Sequence, residues 1–226
     1  MSEQRWVPLE SNPEVLNKYI HSLGVPESCQ FVDIYGLDDE MLAMVPKPVD
    51  AIILLFPSTE KVEANPIGTV EPNPSVPVYY MKQSIRNACG TVAMVHAVAN
   101  TADNIKFDDT KHFVKFLEAT KDLSPEDRAA ALESDAQMGS AHHESAQEGQ
   151  TQAPSQDKDV NPHFVTFIHK DGGLYELDGR KEGPVRHRDT TVDNLLKDTA
   201  EVVKEFMKRD PDQISFTLMA LIRLTD

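Results

Sequence analysis

Apolar positions first repeat with the helical period at Val15, Leu16, Tyr19, Ile20 and Leu23. Asn12 and Pro13 stand ahead of them, suited to cap a helix and to open its first turn. Gly24 and Pro26 end the pattern. Gln30–Tyr35 then alternates like a half-buried strand, and Ala51–Phe56 is an unbroken apolar run that reads as a strand covered on both faces. Residues 57–77 hold five prolines and read as a loop.

A helix is predicted from Cys89, with Val92, Ala93, Met94, Val95, Ala97, Val98 and Ala99 leaving almost no polar side, as in a buried helix. Asp109–Thr120 and Ser124–Leu132 read as two more helices, the second capped by Ser124 with Pro125 at its first position. Residues 133–159 contain one large apolar side chain, Met138, among acids, Gln, Ser and Gly. That composition predicts a mobile segment, either a linker or a loop over a site. His163–His169 and Leu174–Asp178 read as two strands of a hairpin around Asp171-Gly172. Val192, Leu195, Leu196, Val203, Phe206 and Met207 mark one stripe of a long helix, and Ile214–Ile222 a last strand. Helices and strands mix without strict alternation. The expectation is an α+β (α-β-α) fold, a central, mostly antiparallel sheet flanked by helices.

Composition narrows the function more than the fold. The chain has 226 residues, room for one large or two small domains, and its 22 basic and 37 acidic side chains leave a net charge of −15. That sign argues against nucleic acid and against an anionic membrane surface. Its two cysteines, Cys29 and Cys89, cannot make a disulfide framework or a four-cysteine zinc site. The longest apolar run is far below the ~18 residues of a membrane span. These features predict a soluble protein of a reducing compartment; the expectation is the cytoplasm, with the nucleus as second choice, and the all-polar face predicted for the long helix suits a monomer.

Cys89 lies in Asn87-Ala88-Cys89-Gly90-Thr91, at the start of the buried helix. A helix N-terminus favours the thiolate, so Cys89 can be a nucleophile if a histidine reaches it; a small apolar core residue is the alternative. A phosphatase would need an arginine six residues on, where Val95 stands. Gln83, six residues before Cys89, is placed to donate to an oxyanion, or is a solvated glutamine in a turn. Among the eight histidines, His142 and His143 fall in the segment expected to be mobile. His96 is two helical turns from Cys89 and reads as a core histidine. If the hairpin pairs His169 with Leu174, Val165 faces Asp178 and His163 is its diagonal neighbour, within reach of a His–Asp contact. A slip of one residue would part them.

Gln83, Asn87-Ala88-Cys89-Gly90-Thr91, His163-Phe164, Leu174–Arg180 and the opening run Arg5–Val15 together resemble the ubiquitin carboxyl-terminal hydrolase family over nearly the whole chain. The resemblance implies one catalytic domain over residues 1–226, with a papain-like fold and a knotted backbone. It implies Cys89 as nucleophile, His163 as general acid/base, Asp178 as its orienting carboxylate and Gln83 as oxyanion donor, with no metal or organic cofactor. The activity implied is hydrolysis after the C-terminal glycine of ubiquitin, or of a close ubiquitin-like modifier, releasing small adducts or peptides through a thioester. The acidic segment, about 137–160, matches a mobile crossover loop over the site. Ubiquitin-binding positions would be Pro8, Leu9, Glu10, Ser11, Asn12 and Pro13, with Gln213, Ile214, Ser215, Phe216, Thr217 and Leu218; Cys29 matches no catalytic position. The acidity would steer ubiquitin's basic tail, or serve solubility alone. The alternative from another class is a module that binds ubiquitin without cutting it.

Overall fold

The structure, a computed structural model, describes residues 4–150 and 161–224. In chain order the elements are α1 (Pro13–Ser22), β1 (Cys29–Asp33), α2 (Asp39–Ala43), β2 (Val49–Pro57), α3 (Glu60–Ala64), β3 (Thr69–Val70), α4 (Cys89–Asn100) and α5 (His112–Thr120). They continue with α6 (Pro125–Ser134), α7 (Ala136–Ala146), β4 (Pro162–Lys170), β5 (Gly173–Leu177), β6 (Val185–Asp189), α8 (Leu195–Arg209) and β7 (Thr217–Arg223).

The strands form one sheet in the order β1-β7-β2-β4-β5-β6-β3, with each neighbouring pair antiparallel. Its period of two splits the apolar residues between two cores. In β2, Ala51 and Ile53 join the core with α1, α4, α5, α6 and α7, while Ile52, Leu54 and Phe56 join the core with α8. In β4, Phe164 and Ile168 take the first side, Val165 and Phe167 the second. The unbroken run of β2 is thus explained by helices on both faces, and the expected α-β-α layering holds.

Local signals decide the helix ends. Asn12 accepts from Glu14 N at 2.9 Å and Pro13 takes the first position of α1, while Ser124 caps α6. Helix α4 carries no amphipathic stripe because it needs none, with every residue from Cys89 to Val98 buried. It lies against β4, where Thr166 Oγ1 donates to Ala93 O at 2.7 Å.

Four sequence expectations change. Residues 136–146, expected to be mobile, form α7, capped by Asp135, which accepts from Gln137 N and Met138 N. Met138, Ala141, His142 and Ser145 face inward at helical spacing, so periodicity outweighs the polar composition. The remainder of the expected crossover loop, residues 151–160, lies outside the described residues. Within 57–77, Thr59 caps the short helix α3, and Thr69–Val70 pair with β6 at the sheet edge. Val192 and Ile214 are exposed ahead of α8 and β7 rather than inside them. The strand β6 has a largely polar sequence that gives no apolar pattern to find.

His142, from the segment expected to be mobile, is a buried tie. Its Nε2 donates to Val7 O at 2.7 Å and its Nδ1 accepts from Thr91 Oγ1 at 2.8 Å. Trp6 packs on the ring with centroids 4.4 Å apart. Burial pushes its pKa down to about 4, which keeps this neutral tautomer. His142→Ala strands two buried polar groups, so the expected loss is about 2–4 kcal/mol of stability, read from the urea midpoint at constant slope. A midpoint equal to wild type would show that the tie carries no weight.

Candidate active site

The site is assembled at the start of α4 and the near ends of β4 and β5. Asn87, at φ 63°, turns the chain into the helix and donates from Nδ2 to Trp6 O at 3.2 Å. Ala88 provides no side-chain cap, so the first-turn N–H groups around Cys89 are not claimed by a capping side chain. Gly90 follows because a Cβ there would lie 3.2 Å from Leu9 Cδ1 and 3.4 Å from Phe164.

The hairpin register is the one the sequence suggested. His169 pairs with Leu174 and Thr166 with Leu177. Continuing that ladder sets Asp178 across from Val165, and His163 Nε2 donates to Asp178 Oδ1 at 2.7 Å. The same oxygen accepts from Arg180 N at 2.9 Å. Both side chains are buried. Phe56, paired with His163 across β2 and β4, sets its ring edge-on to the imidazole with centroids 6.0 Å apart.

Among the described residues His163 Nδ1, on the other side of the ring, has no hydrogen-bond partner, and after Asp178 the charge that raises the imidazole pKa is that of Cys89. Burial alone would raise the Cys89 thiol, but the His163 imidazole, the Phe164 backbone and the Arg180 guanidinium outweigh it and lower the pKa. Burial likewise opposes the imidazolium, yet Asp178 and Cys89 raise His163 to about 9. Asp178, despite burial, is held down to about 2 by His163, Arg180 N–H and Lys181. All three directions favour the ionised forms, thiolate, imidazolium and carboxylate, in one row.

Gln83 sits against the turn that follows Asp178. Its backbone N donates to Gly179 O at 2.9 Å, and its Nε2 donates to Ile85 O at 3.2 Å, leaving one amide hydrogen available. A Cβ on Gly179 would stand 2.9 Å from both Gln83 N and Gln83 Cβ, so glycine permits the close approach. His96 is the core residue expected, stacked on Tyr80 and accepting from Met81 N at 3.0 Å.

The twelve proposed ubiquitin-binding positions are of mixed character. Leu9 is buried against Gly90, Asn12 and Pro13 begin α1, and Leu218 is a core residue of β7. Pro8, Glu10 and Ser11 are half-buried beside them. Gln213, Ile214 and Phe216 line an apolar depression of about 460 Å³, with Ile214 90% exposed and Ser215 on the surface. Thr217 pairs with Leu55, one residue from Phe56. Sequence reasoning missed Phe56, whose place beside His163 follows only from strand pairing, and Tyr80, treated below. Among the described residues no group of three or more His, Cys, Asp or Glu side chains could hold a metal ion.

Comparison with known proteins adds to this geometry. The family model for ubiquitin carboxyl-terminal hydrolase, family 1, matches residues 6–208. A ubiquitin carboxyl-terminal hydrolase of Aplysia californica is 58% identical over 211 residues, covering 93% of this chain and 99% of that protein. One of Drosophila melanogaster is 47% identical over 223 residues, covering 96% of each. The crystal structure of the Trichinella spiralis UCH37 catalytic domain bound to ubiquitin vinyl methyl ester superposes with a TM-score of 0.80 at 25% identity, covering 100% of this chain and 98% of that one.

Asp178→Asn removes the anion that supports the imidazolium. Proton NMR titration of the His163 ring is expected to show a pKa lower by at least about one unit, since an adjacent opposite charge is worth about that or more. An unchanged titration would mean that Asp178 does not set the charge of His163.

Proposed function

Because the chain belongs to the ubiquitin carboxyl-terminal hydrolase family, family 1, we propose a residue-by-residue course for its reaction. It is a cysteine-type ubiquitin hydrolase, and ubiquitin is its partner. The observation that supports the assignment of roles is the row Cys89, His163, Asp178, with Gln83 tied to the turn beside it.

In this reading the Cys89 thiolate attacks the carbonyl carbon of ubiquitin's terminal glycine, forming the C–S bond. The negative oxygen receives the free Nε2 hydrogen of Gln83 and the backbone N–H of Cys89. His163 passes its proton to the leaving amine as the C–N bond breaks, giving a thioester. Water then loses one proton to His163 and attacks the thioester; the C–S bond breaks, Cys89 leaves as the thiolate beside the recharged imidazolium, and the new acid gives its proton to solvent as the carboxylate is released. Asp178 stays ionised and holds Nε2. The natural leaving groups are small adducts and short peptides, the modifier is ubiquitin or a close relative of it, and the segments Pro8–Pro13 and Gln213–Leu218 contact it. The chain works as a monomer in the cytoplasm, with the nucleus second, and without nucleic acid or membrane.

A module that only bound ubiquitin would have no need of the ion-pair row, so the hydrolase reading takes precedence. Hydrolysis of ubiquitin bearing a fluorescent C-terminal amide tests it. Wild type is expected to release the fluorophore, and Cys89→Ala to lose release by at least about 1,000-fold while binding ubiquitin within about threefold of wild type. Activity retained in Cys89→Ala would refute the assignment of the nucleophile. The competent form has Cys89 ionised and His163 protonated. Its kcat/KM is therefore expected to fall at acid pH as the thiolate is protonated, and at alkaline pH as His163 loses its proton near pH 9. A profile that rose steadily through pH 9 would contradict the resting ion pair.

A further inference from the structure

Residues 79–83 run outside the sheet, so their backbone groups must find partners elsewhere. Asn100, at the end of α4, accepts from Tyr79 N and donates to Tyr79 O, both at 2.8 Å. His96 of the same helix accepts from Met81 N at 3.0 Å. Arg128 of α6 donates from Nη1 to Tyr80 O at 2.8 Å, and Lys82 N donates to Pro125 O at 3.1 Å. The segment is braced chiefly by the helix that carries Cys89.

From this segment three groups reach the turn that carries Asp178. Tyr80 Oη lies 2.6 Å from both Asp178 O and Lys181 O. Those carbonyls mark the two ends of a turn closed by Lys181 N donating to Asp178 O at 3.0 Å. Lys82 Nζ donates to Lys181 O at 2.7 Å, and Gln83 N donates to Gly179 O at 2.9 Å. A phenol has one proton, shared here between two acceptors. Burial, with the carboxylates around it, pushes the phenol well up and keeps it a donor. The ring is stacked on His96, with centroids 5.3 Å apart and planes 12° from parallel, which fixes where the hydroxyl stands.

The turn needs such an anchor. The ladder between β4 and β5 ends at Thr166 and Leu177, one residue before Asp178, so sheet pairing does not hold the carboxylate in place. We propose that Tyr80 is a positioning residue, whose hydroxyl pins the Asp178–Lys181 turn to the segment braced by α4 and so aims the Asp178 carboxylate at His163. The proposal deepens the catalytic reading above and rests on it for its kinetic consequence. Tyr80 acts through Asp178 and touches no reacting atom.

Tyr80→Phe keeps the ring and removes only the hydroxyl. The charged and titratable groups facing the His163–Asp178 pair, namely Cys89 and His96 on α4, Arg180 and Lys181 in the turn and Glu176 on β5, are unchanged by it. NMR titration of His163 in Tyr80→Phe is expected to give a pKa lower by about half a unit or more, part of the shift seen in Asp178→Asn. With the ubiquitin amide, kcat is expected to fall by about tenfold with KM within about twofold, since small misplacements of catalytic groups cost that much. Adding Tyr80→Phe to Asp178→Asn should cost nothing further, as expected of two changes acting through one group. A His163 titration identical to wild type overturns the proposal, and so do fully additive losses in kcat. A variant that melts earlier yet keeps the wild-type titration and kcat overturns it as well, leaving the hydroxyl a stabiliser of the fold. The titration needs no turnover, so an inactive wild type would refute the hydrolase reading while the Tyr80 proposal is still decided.

Discussion

The arrangement depends on burying a helix that is apolar on every side. Helix α4 has no solvent face, so its ten residues from Cys89 to Val98 must be enclosed by other elements. The sheet provides one wall through β2 and β4, and the helices α1, α5, α6 and α7, with the segments around Leu9 and Tyr80, share the core on that side. Once α4 is fixed against β4 by packing and by the Thr166–Ala93 hydrogen bond, its first residue has no freedom left. That residue is Cys89, and the strand beside it begins with Pro162 and His163. Cys89 and His163 come from segments more than seventy positions apart, and a core contact brings them together.

The charges of the site follow from the same enclosure. Taking a thiolate and an imidazolium out of water is unfavourable, and burial opposes ionisation at Cys89, His163 and Asp178 alike. What offsets that penalty is the alternation of charge along the row and the backbone N–H that Asp178 receives. Here a low-dielectric setting strengthens the interactions that offset its own penalty. The turn from Asp178 to Lys181 joins these parts. It supplies the carboxylate, holds Gln83 through Gly179 O, and carries the guanidinium of Arg180 toward the thiol.

Much of this is legible in the sequence alone. The buried helix, the hairpin and its register could be read because strong local patterns, an apolar run and an Asp-Gly turn, coincide with the tertiary answer. The His163–Asp178 contact then follows from counting along a ladder. Other features were hidden for physical reasons. Helix α7 has an inward stripe of Met138, Ala141, His142 and Ser145, in which only Met138 is large and apolar, and the burial of His142 depends on Trp6, Val7 and Thr91 arriving from elsewhere. Phe56 and Tyr80 matter through contacts across strands and between loops, which no spacing along the chain reports. Strand β6 is held by its neighbours in the sheet and not by an apolar pattern of its own.

The central claim is that packing alone, with no substrate present, sets Cys89 and His163 as an ion pair. Thiolate absorbance near 240 nm, followed against pH in the free protein and corrected with Cys89→Ala to remove Cys29, measures it most directly. The account predicts that Cys89 ionises well below the ordinary thiol value of about 8.5, and that His163→Ala returns it to that value or above. A Cys89 that titrates at the ordinary value in wild type, and does not move in His163→Ala, would contradict the claim.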